Sequence, residues 1–156
     1  MLYAKLAECV LLAVALVVIA RVQGTLLSLV MPGQANWALH ASIGELVEGV
    51  FRRFVVFVGA GIYEELLFRL VMFSVAAWLL RLSGCGSNLS LAGAALATSL
   101  LFAGAHHLGP MGEPFLWYTF LFRTTAGLFF ATLFICRGFG VAAGTHAMYD
   151  VLVGLF

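Results

Sequence analysis

The chain has 156 residues, of which 63% are hydrophobic and 10% charged, and its formal net charge is +1. A soluble domain carries about 45–50% apolar and about 25% charged residues, so too little polar surface exists here to coat a water-facing globule. Soluble enzymes, nucleic-acid binders and disordered chains are excluded, which leaves a polytopic membrane protein with room for roughly four to six spans of about 20 residues.

The predicted fold is an all-α transmembrane helix bundle of about five spans with one amphipathic surface helix. Residues 6–30 form the first span. Lys5 and the apolar run after it mimic a signal peptide. Glu8 and Arg21 fit that poorly, and no small-x-small site follows, so the stretch is expected to remain as a span with Arg21 near an interface. Pro32-Gly33 breaks the helix. Residues 37–53 set Glu45, Glu48, Arg52 and Arg53 among apolar residues at three- and four-residue steps, the pattern of a helix lying on the membrane surface.

The second span, 54–80, carries Glu64, Glu65 and Arg69 in its middle. Residues 81–88 read as a loop, with Ser87 or Asn88 capping the third span, 89–108. A turn over 109–114 leads to the fourth span, 115–136, and the fifth runs 139–156. Lys5, Arg81 and Arg137 fall on one side and Arg52 and Arg53 on the other, a weak lean towards a cytoplasmic N-terminus. Cys9, Cys85 and Cys136 form no CxxC pair and no disulfide framework.

Charges inside a bilayer are the informative anomaly, because each costs about 2.5–3.5 kcal/mol at mid-span. At about 100° per residue, Glu65 and Arg69 lie about 40° apart on one face, whereas Glu64 and Arg69 lie about 140° apart. Arg69 is therefore expected to neutralise Glu65. Glu64, pointing elsewhere, is left as the candidate general base. An ion cluster that merely joins helices is the competing reading, and for Glu65 with Arg69 it is the favoured one. The third span places Phe102 and His106 on one face and turns His107 towards the water interface. The fifth span places His146 and Asp150 four apart, a spacing that suits two ligands on one metal or a carboxylate orienting an imidazole. Taken singly, each histidine reads as a satisfied interfacial or interhelical group. Together, acids and imidazoles on three spans are the parts for activating water and stabilising an oxyanion, with or without a metal.

These segments resemble the motifs of the CPBP intramembrane proteases, the group of CAAX proteases and bacteriocin-processing (Abi) enzymes. Glu64-Glu65-Leu-Leu-Phe-Arg69 is similar to EExxxR, Phe102-Ala-Gly-Ala-His106 to FxxxH, and His146-Ala-Met-Tyr-Asp150 to Hxxx followed by Asn or Asp. The resemblance divides the chain into residues 1–53, the first span and surface helix, and 54–156, a CPBP-like catalytic core. It implies a glutamate-dependent intramembrane endopeptidase of the prokaryotic cytoplasmic membrane. Glu64 and His106 would activate water, His146 and Asp150 would stabilise the oxyanion, and Glu65, Arg69 and Phe102 would support the site. A divalent metal such as zinc, if used, would sit on His106, His146 and Glu64, although no HExxH supports one. The implied partners are membrane lipids and a protein or peptide substrate with a membrane-proximal cleavage site: a C-terminal tail, leader or sorting segment. Many family members have Asn at the position of Asp150. An ionised Asp only accepts hydrogen bonds, so it serves an oxyanion only when protonated and otherwise orients His146. The chain is short for the family, which leaves a wall for an oligomer or partner subunit to supply. The rival functions are a non-catalytic membrane scaffold or immunity-type protein and, less favoured, a b-type haem protein with His106 and His146 as axial ligands.

Overall fold

The computed structural model describes residues 2–30, 49–109 and 112–155. The described residues contain helices and turns and no strand. Helix α1 spans Leu2–Val30 and α2 spans Gly49–Glu65. A π-helical segment, Leu66–Phe73, continues α2 directly into α3, Ser74–Leu82. Three further helices follow: α4 (Ser87–Ala105), α5 (Trp117–Arg137) and α6 (Phe139–Leu155).

The bundle is that of an integral membrane protein. Helices α1, α4 and α5 are long and apolar enough to cross a membrane. Their outer faces display Leu11, Val18, Leu89, Leu101 and Ile135, large apolar side chains that lipid would cover. The other two expected spans are helical as well: α2, the π-helical segment and α3 form one unbroken run from Gly49 to Leu82, long enough to cross, while α6 has 17 residues, short of the roughly 20 that a crossing needs. The second span also starts earlier than expected. Residues 49–53, read as the end of a surface helix, belong to α2, and the rest of that stretch, 37–48, lies outside the described residues, as does the Pro32-Gly33 break.

Helix α6 sits centrally, packed on α1, α2 and α5, while α4 packs on α5, α3 and the π-helical segment. Glycines set the closest crossings, as expected where lipid supplies no hydrophobic drive and backbone approach replaces it. A Cβ on Gly61 would lie 2.8 Å from the Ala147 nitrogen and 3.0 Å from its Cα. Both are backbone atoms and neither can yield cheaply. That contact lies one turn before Glu65 and one residue after His146, so it brings the acidic pair of α2 against the imidazole of α6. Gly61→Ala should force α2 and α6 apart and lower both melting temperature and activity. An unchanged melting curve with full activity would show that the crossing does not position the site.

The π-helical segment was not anticipated. A straight α-helix places residues five apart about 140° from each other. The i→i+5 bonding of a π-helix widens the turn. Phe68, Arg69 and Phe73, spaced by four and five, are all buried here. The wider turn brings this set to one side, whereas an α-helix would direct one of them to lipid. The α4 start is also corrected: its cap residue is Gly86, with no side-chain capping bond. Ser87 instead accepts a hydrogen bond from Arg81 at 3.3 Å.

Candidate active site

The deepest charges among the described residues are Glu65 and Arg69, both 0% exposed. Arg69 Nε lies 3.3 Å from Glu65 Oε2, so the partner chosen by helix geometry is the one observed. Arg69 also donates from Nη2 to the carbonyl of Gly127 on α5 at 3.0 Å. That carbonyl is reachable because Gly127 lets α5 lie on Ser99 of α4, where a Cβ would meet the serine Cβ at 2.8 Å. The guanidinium sits over the Phe102 ring at 4.7 Å, a cation–π contact that compensates part of its lost hydration. Phe102 in turn meets Phe68 and His106 edge to face.

Glu65 has a second role that sequence reasoning missed. Its Oε1 lies 2.9 Å from Nδ1 of His146. A carboxylate only accepts, so Nδ1 carries the proton and Nε2 is turned to the other side. His146 is buried and stacks on Phe130, with ring centroids 4.3 Å apart and planes at 14°. The residue expected to orient His146, Asp150, is not hydrogen-bonded to it. Asp150 Oδ2 stands 3.7 Å from Nε2, the opposite nitrogen.

His106 ends α4 and is fixed the same way. Its Nδ1 lies 2.8 Å from the carbonyl of Phe102, an acceptor only, so here too Nδ1 is the donor and Nε2 is free. Glu64 is unpaired within its own helix, as expected, yet it is not isolated. Its Oε2 lies 3.8 Å from Nε2 of His106 and 3.7 Å from Nε2 of His146. Separations of this size are too long for direct hydrogen bonds, and a water seated beside both atoms, rather than between them, would reach each. Glu64 lies at the end of α2 and His106 just past the end of α4, so the two helix ends meet here.

A cavity of about 520 Å³ opens beside these groups, lined by His106, His146 and Asp150 together with residues of α5. The described lining comes from α4, α5, α6 and the loop before α5, and Glu64 is not part of it. Arg123 also lines it, paired through Nη2 with Glu113 Oε1 at 2.8 Å. That bond holds the Glu113 carboxyl below the ordinary carboxylate range, so the pair stays charged at neutral pH. His107, expected to face water, is held by the Glu113 carbonyl at 3.0 Å and leans on Phe115.

The three groups proposed from the sequence as metal ligands come together, with Nε2 of His106 and of His146 at 3.8 and 3.7 Å from Glu64 Oε2. Among the described residues no group of three or more His, Cys, Asp or Glu is disposed to hold an ion. Zinc needs its nitrogen and oxygen donors at about 2.0–2.2 Å, all converging on one point. Donors on one tetrahedral ion stand roughly 3.4 Å apart, and these pairs, at 3.8 and 3.7 Å, are a few tenths of an ångström wider.

The family model described as type II CAAX prenyl endopeptidase, Rce1-like, matches residues 46–152. The chain belongs to that family. The match spans the whole described stretch from α2 into α6 and so includes every group of the site. Membership makes the chain a protease of CAAX type working in a membrane. No curated protein and no solved structure matches the chain.

Proposed function

We propose that this protein hydrolyses a membrane-proximal peptide bond near the C-terminus of a protein substrate, with Glu64 as the base that activates water. One observation carries the reading: both imidazole Nε2 atoms face the same Glu64 oxygen, at 3.7 and 3.8 Å, beside a cavity large enough for a peptide segment. Water held between Glu64 and His106 attacks the carbonyl carbon. Glu64 takes its proton and passes it to the leaving amine. His146, doubly protonated, donates from Nε2 to the oxyanion while Glu65 and Asp150 balance its charge. Glu65 and Arg69 act as positioning residues, fixing the ring of His146 through Nδ1. The products are a new carboxylate and a new amine.

This arrangement disfavours the rivals. Axial haem ligation needs both Nε2 atoms directed at one iron, and here both are directed at a carboxylate. A purely structural cluster would have no need of an adjoining cavity. The mechanism uses neither thiol nor metal. Cys9 is buried against α6, where it approaches the Val141 carbonyl, and Cys85 and Cys136 lie away from the cavity lining. Protein with all three cysteines replaced by serine or alanine, reconstituted in vesicles and treated with chelator, should keep cleaving a prenylated peptide. Abolition of cleavage in the cysteine-free protein, or its return only on adding zinc, would replace this mechanism with a thiol or metal one.

A further inference from the structure

The cavity contains a cation that the proposed chemistry does not use. Arg123 is the one Arg or Lys among the described lining residues. It lies under two turns into α5, about 9 Å from the helix start at 1.5 Å per residue, where an apolar span still penalises a charge. Its Nη2 is engaged by Glu113, but its Nη1 is buried and has no hydrogen-bond partner among the described residues. A buried guanidinium donor left unpaired is costly, and the usual remedy is a ligand acceptor. The wall combines apolar Leu116, Phe122, Ala126 and Val153 with Thr119, Tyr149 and Asp150, so Arg123 is the cation that offsets the acid a ligand carboxylate would meet. The volume of about 520 Å³ falls within the usual range of small-ligand sites. A guanidinium in such a setting matches one ligand group best, a planar carboxylate.

We propose that Arg123 binds a carboxylate of the peptide substrate inside the cavity, with Glu113 holding the guanidinium in place beforehand. Glu113 sits in the loop before α5 and is itself exposed, so it serves as a tether at the mouth and leaves Nη1 for the ligand. The carboxylate comes either from the free end of the substrate chain or from an acidic side chain near the cleaved bond. In both cases Arg123 sets specificity and register, and His106 and His146 on the same cavity wall meet the bond to be cut. The inference rests on the peptidase reading above.

Binding tests it without requiring cleavage. Three peptides are compared on vesicle-reconstituted Glu64→Gln protein: a free-acid peptide without acidic side chains, its C-terminal amide, and that amide with Glu as the last residue. The free acid should bind roughly tenfold or more tightly than the plain amide, the size expected for a charge-assisted hydrogen bond. The Glu-containing amide separates the two sources: tight binding there shows that a side-chain carboxylate suffices, and weak binding shows that the chain end is required. Adding Arg123→Gln should remove the preference while leaving the affinity for the plain amide unchanged, and Arg123→Lys should restore part of it. A purely structural role would weaken all three peptides equally. Equal binding of all three peptides, or a preference that survives Arg123→Gln, would overturn the proposal. The peptide comparison stands even where the Arg123→Gln chain fails to fold. Wild-type cleavage of the same peptides, measured separately, bears on the peptidase reading alone.

Discussion

Glu64→Gln should lower turnover by a factor on the order of 10²–10⁴, the range for a lost general base, while leaving the fold intact. The substitution preserves volume and hydrogen bonding but removes the group that takes the proton. Glu64 is about a quarter exposed, and among the described residues its side-chain contacts are the long ones to His106 and His146, at 3.8 and 3.7 Å, so its neutralisation breaks no short buried bond. Turnover should fall without a matching rise in KM, since the carboxylate does not line the cavity where the peptide is placed. Unchanged turnover would transfer the role of base to another group, and Asp150, whose Oδ2 also stands 3.7 Å from His146 Nε2, is the next candidate.

Arg69→Ala should act first on stability. It leaves Glu65 as an uncompensated charge at zero exposure, and breaking a buried pair costs about 3–5 kcal/mol. It also empties the space over Phe102 and frees the Gly127 carbonyl. Lysine is a poor substitute, because one ammonium cannot span Glu65, Gly127 and the Phe102 face together. The double variant Glu65→Leu, Arg69→Met separates fold from function. Removing both charges should recover most of the lost stability, as replacing a buried pair by apolar groups often does. Activity should stay low, because His146 then lacks the acceptor at Nδ1 that fixes its ring. Thermal unfolding in detergent together with peptide cleavage reads both. Recovery of activity along with stability would make Glu65 and Arg69 a structural cluster and nothing more.

The helices were legible in the sequence because apolar runs of bilayer length leave few alternatives, and α4, α5 and α6 begin within two residues of the positions expected. The pairing of Arg69 with Glu65 was legible for a local reason, since four residues on a helix is short-range geometry. What crosses between helices was not. Nothing in the spacing of Glu65 and His146 announces a 2.9 Å hydrogen bond, and the Gly61 crossing that produces it depends on which helices become neighbours. The π-helical segment left a trace in the sequence, a buried set spaced by four and five, but one that only burial makes visible. Arg123 is different. Its signal, an arginine inside an apolar span, was the same anomaly that drew attention to Glu64, and it lacked only a recognisable neighbour at helical spacing.

The central claim is that the polar cluster of α2, α4 and α6 hydrolyses peptides, and direct product analysis tests it most simply. Purified protein in lipid vesicles is incubated with a prenylated peptide ending in a CAAX-type sequence, and the mixture is read by mass spectrometry. The account predicts two fragments whose masses sum to that of the substrate plus one water, absent with Glu64→Gln. An intact peptide after prolonged incubation with folded wild-type protein, or fragments that form equally with Glu64→Gln, would contradict it.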